Sequence, residues 1–171
     1  MIFVTVGTHE QPFDRLVQKI DELVQNGNIK DEVIMQTGYC TYIPQACRAQ
    51  KYFSYLEMEE YVKKADIVIT HGGPSSFILP IQFGKVPIVV PRQKKFQEHV
   101  NDHQVEFVRE VEKRYHSLIP IYDINDLKDV IEHYHEKREK EIGKYSTNNK
   151  MFCEKLQQQI DELFDNKEKK K

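Results

Sequence analysis

The chain has 171 residues, one domain's worth and enough to bury a single core. With 39% hydrophobic and 30% charged residues it reads as soluble and globular rather than disordered, and a net charge of −2 gives no reason to expect nucleic-acid binding. Cys40, Cys47 and Cys153 form an odd set that fits no zinc spacing, so reduced thiols of a cytosolic protein are expected.

The first element is the β-rich run Ile2 to Val6, closed by Gly7-Thr8. It is too short for the apolar core of a signal peptide and lacks a basic start. No later stretch approaches the ~20 apolar residues of a membrane span, so any membrane association is expected through another protein. Phe13, Leu16, Val17, Ile20, Leu23 and Val24 then share one helical face, with Pro12 in the first turn and Asn26-Gly27-Asn28 as the stop. Val33-Ile34-Met35 is a second strand, ended near Gly38. Tyr52 to Tyr55 is expected as a third, followed by a short helix carrying Met58, Tyr61 and Val62. Ile67 to Thr70 is an uninterrupted apolar strand. A turn at His71 to Pro74 leads to a helix over Ser75 to Phe83, and Val86 to Val90 is another buried strand.

Continuous rather than alternating apolar runs, with helices between them, indicate an α/β fold: a single Rossmann-like domain with a mainly parallel sheet. Beyond Pro91 the pattern predicts a helix over Val100 to Val111, an edge strand at Ile119 to Ile121 and a polar helix from Asn125 to about Ile142. A terminal amphipathic helix, about 147–164, carries Phe152, Leu156, Ile160 and Leu163. The domain is expected to span 1–165, with 166–171 a basic solvated tail.

Three segments fall at carboxyl ends of strands, where open α/β sheets bind ligands. Gly7-Thr8-His9 follows the first strand. Gly7 permits close backbone approach and Thr8 offers a hydroxyl, although a plain turn has the same composition. His71-Gly72-Gly73-Pro74-Ser75-Ser76 joins a buried strand to a helix, so that backbone N–H groups, two hydroxyls and the positive helix end can cradle a diphosphate. A serine-capped turn is the bland alternative. The segment is neither a Walker loop nor a dinucleotide fingerprint. The third segment, from Arg92 through Gln97, Glu98, His99, Asn101, Asp102 and Gln104, is dense in side chains that pair with sugar hydroxyls.

In order along the chain, these residues resemble a known family. Val4-Thr5-Val6-Gly7-Thr8 with Phe13-Asp14-x-Leu16 is similar to the opening of the soluble subunits of split family 28 glycosyltransferases. His71 to Ser76 resembles their glycine-rich motif. Gly84 to Arg92, followed by Glu98-His99-x-Asn101-Asp102-His103-Gln104, is similar to their bacterial polysaccharide branch. The resemblance runs to about residue 110. It implies the C-terminal half of a GT-B fold, with the diphosphate on the glycine-rich turn and the donor sugar near Gln97, Glu98 and Asn101. The position that commonly carries a ribose-binding glutamate falls on Leu79, a departure from the pattern.

The resemblance further implies an inverting hexosyltransferase subunit that needs no metal or cofactor. It would bind UDP-galactose or UDP-GlcNAc and serve a lipid-diphosphate-linked saccharide presented by a membrane-anchored partner in exopolysaccharide or capsule synthesis. The chain would then be cytoplasmic and peripheral at the inner membrane face. His9 is a candidate general base. A non-catalytic enhancer subunit and a generic flavodoxin-like nucleotide binder are the rival expectations.

Overall fold

The computed structural model describes residues 1–141 and 153–158. Six strands form one parallel sheet: β1 (Ile2–Thr5), β2 (Val33–Gln36), β3 (Arg48–Gln50), β4 (Ile67–His71), β5 (Ile88–Val90) and β6 (Ile119–Pro120), in the order β3-β2-β1-β4-β5-β6. Every residue of β1, β2, β4 and β5 is buried, which is why these strands read as continuous apolar runs.

Alternate strand residues supply two faces. Ile2, Val4, Met35, Ile69, Ile88 and Val90 pack with Leu16, Val17 and Ile20 of α1 (Asp14–Gln25) and with Leu127, Val130 and Tyr134 of α5 (Leu127–Glu132) and α6 (Tyr134–Glu141). On the other face Phe3, Ile34 and Val68 meet Val62 of α2 (Tyr55–Lys64). There too Val89 meets Phe77 and Ile81 of α3 (Pro74–Gln82) and Val108 of α4 (His103–Tyr115).

The chain winds outward from β1 to β3, then returns to place β4 on the other side of β1. The carboxyl ends of β1 and β4 therefore flank the topological switch point, where the loops diverge and leave a crevice.

Four sequence expectations need correction. The third strand is Arg48–Gln50, not Tyr52 to Tyr55. In the latter segment the Phe53 N–H is bound by the Gln36 side chain at 3.2 Å, and Ser54 forms a capping box with Glu57 that starts α2. The helix expected from Val100 begins at His103, and Val100 is 67% exposed. The polar helix is split at His133 into α5 and α6, behind a 3-10 turn at Ile124–Asp126. Finally, α1 begins at Asp14, beyond Pro12. Of the terminal helix, residues 153–158 are helical and exposed, with Leu156 45% exposed; Phe152, Ile160, Leu163 and the basic tail lie outside the described residues. No helix of the described residues is long and apolar enough to cross a membrane.

Candidate functional site

The crevice at the switch point opens into a cavity of about 910 Å³. One end is polar. Thr5, Gly7, Thr8, His9 and Glu10 come from the end of β1, and His71, Ser75 and Ser76 from the end of β4 and the start of α3. The other end is lined by Tyr39, Phe53, Tyr55, Met58, Val62, Ile78 and Leu79, with Gln36 and Gln82 as its amides.

His71 organises the polar end. The Gly73 N–H donates to its Nδ1 at 3.0 Å, and its Nε2 lies 2.7 Å from Ser76 Oγ. Because Nδ1 accepts, the ring proton sits on Nε2 and donates to Ser76, which leaves the Ser76 hydroxyl proton free to donate elsewhere. Burial, reinforced by the positive charge of Arg92, pushes His71 down to about 4, so the ring is neutral at physiological pH. The glycines exist to seat it. A Cβ on Gly73 would lie 2.2 Å from His71 Cε1, and one on Gly7 would lie 2.4 Å from Nε2, at a φ of +75° that already favours glycine. Helix α3 starts with Gly73 as its cap, no side chain on its first-turn N–H groups and Pro74 at N1. Its positive end thus faces the cavity through Ser75 and Ser76.

Several side chains of the third sequence segment are engaged with the chain itself. Arg92 is 1% exposed and lies over the Phe13 ring. It donates to the carbonyls of Val6 (2.8 Å), Gln11 (2.6 Å) and Glu98 (3.1 Å). Glu98 is buried and takes a two-pronged contact from Arg15, at 2.7 and 2.9 Å, plus the Gln93 N–H at 3.0 Å. Gln104 accepts from the Arg92 N–H, and Asp102 from the Lys94 N–H. None of these four residues lines the cavity. The same is true of Gly72, which packs on Gln104 and Pro91. Glu98 is engaged by Arg15, and Leu79 lines the apolar end of the cavity together with Gln82.

Three imidazoles pile up, and of these His9 lines the cavity. His9 stacks on His99 (4.6 Å between centroids, 14°), and His103 meets His99 edge-on at 4.4 Å. Asn101 accepts from His103, and the Gln97 carbonyl accepts from Gln11. The rings stack rather than converge, and among the described residues no group of three His, Cys, Asp or Glu is arranged to hold a metal. The apolar lining escaped sequence reading because its residues carry no chemistry of their own. The Ser54-x-x-Glu57 capping box was the available signal that Phe53 lies at a helix entrance.

A family model described as the glycosyltransferase family 28 C-terminal domain matches residues 1–160. The chain is 31% identical over 129 residues to the human UDP-N-acetylglucosamine transferase subunit ALG13, and 29% identical over 126 residues to that of Mus musculus. Each match covers 67% of this chain and 10% of the relative, so the chain corresponds to about a tenth of these proteins' length. The crystal structure of the glycotransferase of kitacinnamycin superposes with a TM-score of 0.52 at 14% identity, over 77% of this chain and 34% of that one, a likeness of fold. With the family model spanning nearly the whole chain, the protein belongs to the glycosyltransferase family 28 C-terminal domain family.

Proposed function

We propose that this chain is the donor-binding subunit of a two-component inverting glycosyltransferase. It binds a UDP-sugar, UDP-galactose or UDP-GlcNAc, in the switch-point cavity, and a membrane-anchored partner presents a lipid-diphosphate-linked saccharide as acceptor. The observation that carries this reading is the two-ended cavity. Its polar end pairs the uncapped start of α3 with the Ser75 and Ser76 hydroxyls, which suits a diphosphate. Its aromatic and aliphatic end suits a nucleoside, and about 910 Å³ lies within the range of small-molecule sites. Stabilisation of departing UDP falls to donors already oriented in the folded chain. The ALG13 relatives are transferase subunits by name, which supports a partner-dependent activity.

Calorimetry with UDP, UDP-galactose, UDP-GlcNAc and ADP tests the donor. UDP and one of its sugars are expected to bind and ADP to fail; equal affinity for ADP would make this a generic nucleotide binder. Transfer assays with each subunit alone and together test the enzyme role. Product is expected only from the pair, and a partner fully active alone would make this chain an enhancer.

A further inference from the structure

Among the described residues, no lysine or arginine lines the cavity assigned above to a nucleotide sugar. The arginines beside it are engaged: Arg92 is buried under backbone carbonyls and Arg15 is paired with Glu98. The lining carries one carboxylate, Glu10, which repels an anion, and two imidazoles, His9 and His71. His71 has both ring nitrogens hydrogen-bonded within the turn. Among the described lining residues, His9 is therefore the one able to bring positive charge to a diphosphate.

The contacts of His9 define how it would do so. Gln11 donates through its amide nitrogen to the Gln97 carbonyl at 3.2 Å, which turns its amide oxygen toward His9 Nε2 at 3.0 Å. Nε2 thus carries a proton, and Nδ1 is the position where the ring gains or lacks the second one. The neutral ring has only a lone pair there, which a phosphate oxygen avoids; the charged ring has a donor. The groups around it are Glu10 next in the chain, His71 across the turn, His99 and His103 from the segment after β5, and Arg92 beneath. His99 is held below the ordinary imidazole range by burial and by the charges of His103, His9 and Arg92, so the stack resists a second proton once one ring has charged.

We infer that His9 is the counter-charge of the donor diphosphate: its protonated ring binds the anion, and donor binding draws a proton from solvent onto Nδ1. The inference rests on the nucleotide-sugar reading of the cavity. It also removes His9 as the general base of the same complex, because the charged ring has no lone pair to accept the acceptor's proton.

A nucleotide sugar is the right probe, because its doubly esterified diphosphate has no proton to exchange near neutral pH. UDP-galactose and UDP-GlcNAc are titrated into the full chain by calorimetry in buffers of low and high ionisation enthalpy. Uptake of up to one proton is expected. Affinity is expected to fall as pH rises, by up to about tenfold per pH unit. His9→Lys carries a fixed charge, so it is expected to keep binding and lose the buffer dependence. His9→Gln is expected to lose the buffer dependence and weaken binding by about tenfold to a hundredfold, the worth of one charge-assisted hydrogen bond. Binding by the parent without proton uptake overturns the role of His9 and leaves the site standing, as does uptake that persists in both variants. No binding of either sugar nucleotide in any buffer overturns the nucleotide-sugar reading itself.

Discussion

His71 shows how much of a site can rest on the packing around one ring. Gly7 and Gly73 leave room for its ring, the Gly73 N–H fixes its tautomer, and the tautomer makes Ser76 a donor. A side chain added at Gly73 strikes the imidazole, so its effect on the proposed UDP-sugar binding would run through His71 and Ser76. Gly73→Ala should therefore suffice to abolish the proposed UDP-sugar binding in calorimetry; retained binding would disconnect the ring from the site. The lock also has a pH signature. His71 is lowered to about 4 from the ordinary imidazole value of 6.5, so the folded state takes up this proton less readily than the unfolded chain. Its contribution to stability is present above about pH 6.5 and is lost as pH falls toward 4. Nitrogen NMR should find His71 as the neutral Nε2–H form at about pH 6. A ring that titrates near neutrality would contradict the hydrogen-bond pattern.

At the scale of elements, the segment between β2 and β3 is held by carboxylates rather than by a helix. Asp14 accepts from the N–H groups of Thr41 and Tyr42 and from the Thr41 hydroxyl. One face of α1 further along, Asp21 accepts from the N–H groups of Gln45 and Ala46, the Tyr42 hydroxyl and the Gln25 amide. Burial raises the Asp21 pKa, but the donors of Gln45, Tyr42, Ala46 and Cys47 outweigh it and bring it to about 2. The thiols of Cys40 and Cys47 are pushed up to about 12, chiefly by burial, and so stay protonated and inert. The Asp21 stabilisation is complete above about pH 4 and disappears as pH falls through 2. Asp21→Asn presents an amide nitrogen to donors it cannot accept from, and should cost about 1–3 kcal/mol for the groups left unpaired. Urea melts at about pH 5 and about pH 3 check this: the parent should lose stability between them, and the variant should lack this part of the loss. None of this was legible beforehand. Asp14 and Asp21 look like the solvated face of an amphipathic helix, and Arg48-Ala49-Gln50 is an exposed edge strand without apolar pattern. The aromatic run at Tyr52 to Tyr55 drew the strand assignment instead, because β-propensity describes a half-buried surface and Phe53 has one, under Phe3 and Tyr61.

At the scale of the molecule, the apolar runs identified the buried parallel strands, and the topological rule then located the crevice without any reference to side chains. What the runs could not reveal is which polar side chains turn inward. Arg92 and Glu98 lie in a stretch rich in sugar-binding residue types, yet they tie together the loops on both sides of the switch point. Arg92 reaches Val6 and Gln11 after β1, and Glu98 reaches Arg15 on α1. The contact and cross-tie roles of Glu98 predict different measurements on the ligand-free chain. If Glu98 only touched donor, Glu98→Ala would leave the melting temperature unchanged and reduce UDP-sugar affinity alone. As a cross-tie, its removal strands Arg15 in a nearly dry setting, a loss of about 3 kcal/mol or more. That corresponds to about 6–12 °C in melting temperature for a chain of this size. Replacing both partners by apolar residues of similar volume, Arg15→Met with Glu98→Leu, should restore most of that loss, because an apolar pair leaves no charge uncompensated. Differential scanning calorimetry of the parent, the single variant and the double variant, all without nucleotide, is the decisive series. A single variant that melts with the parent would return Glu98 to the list of residues that meet the sugar.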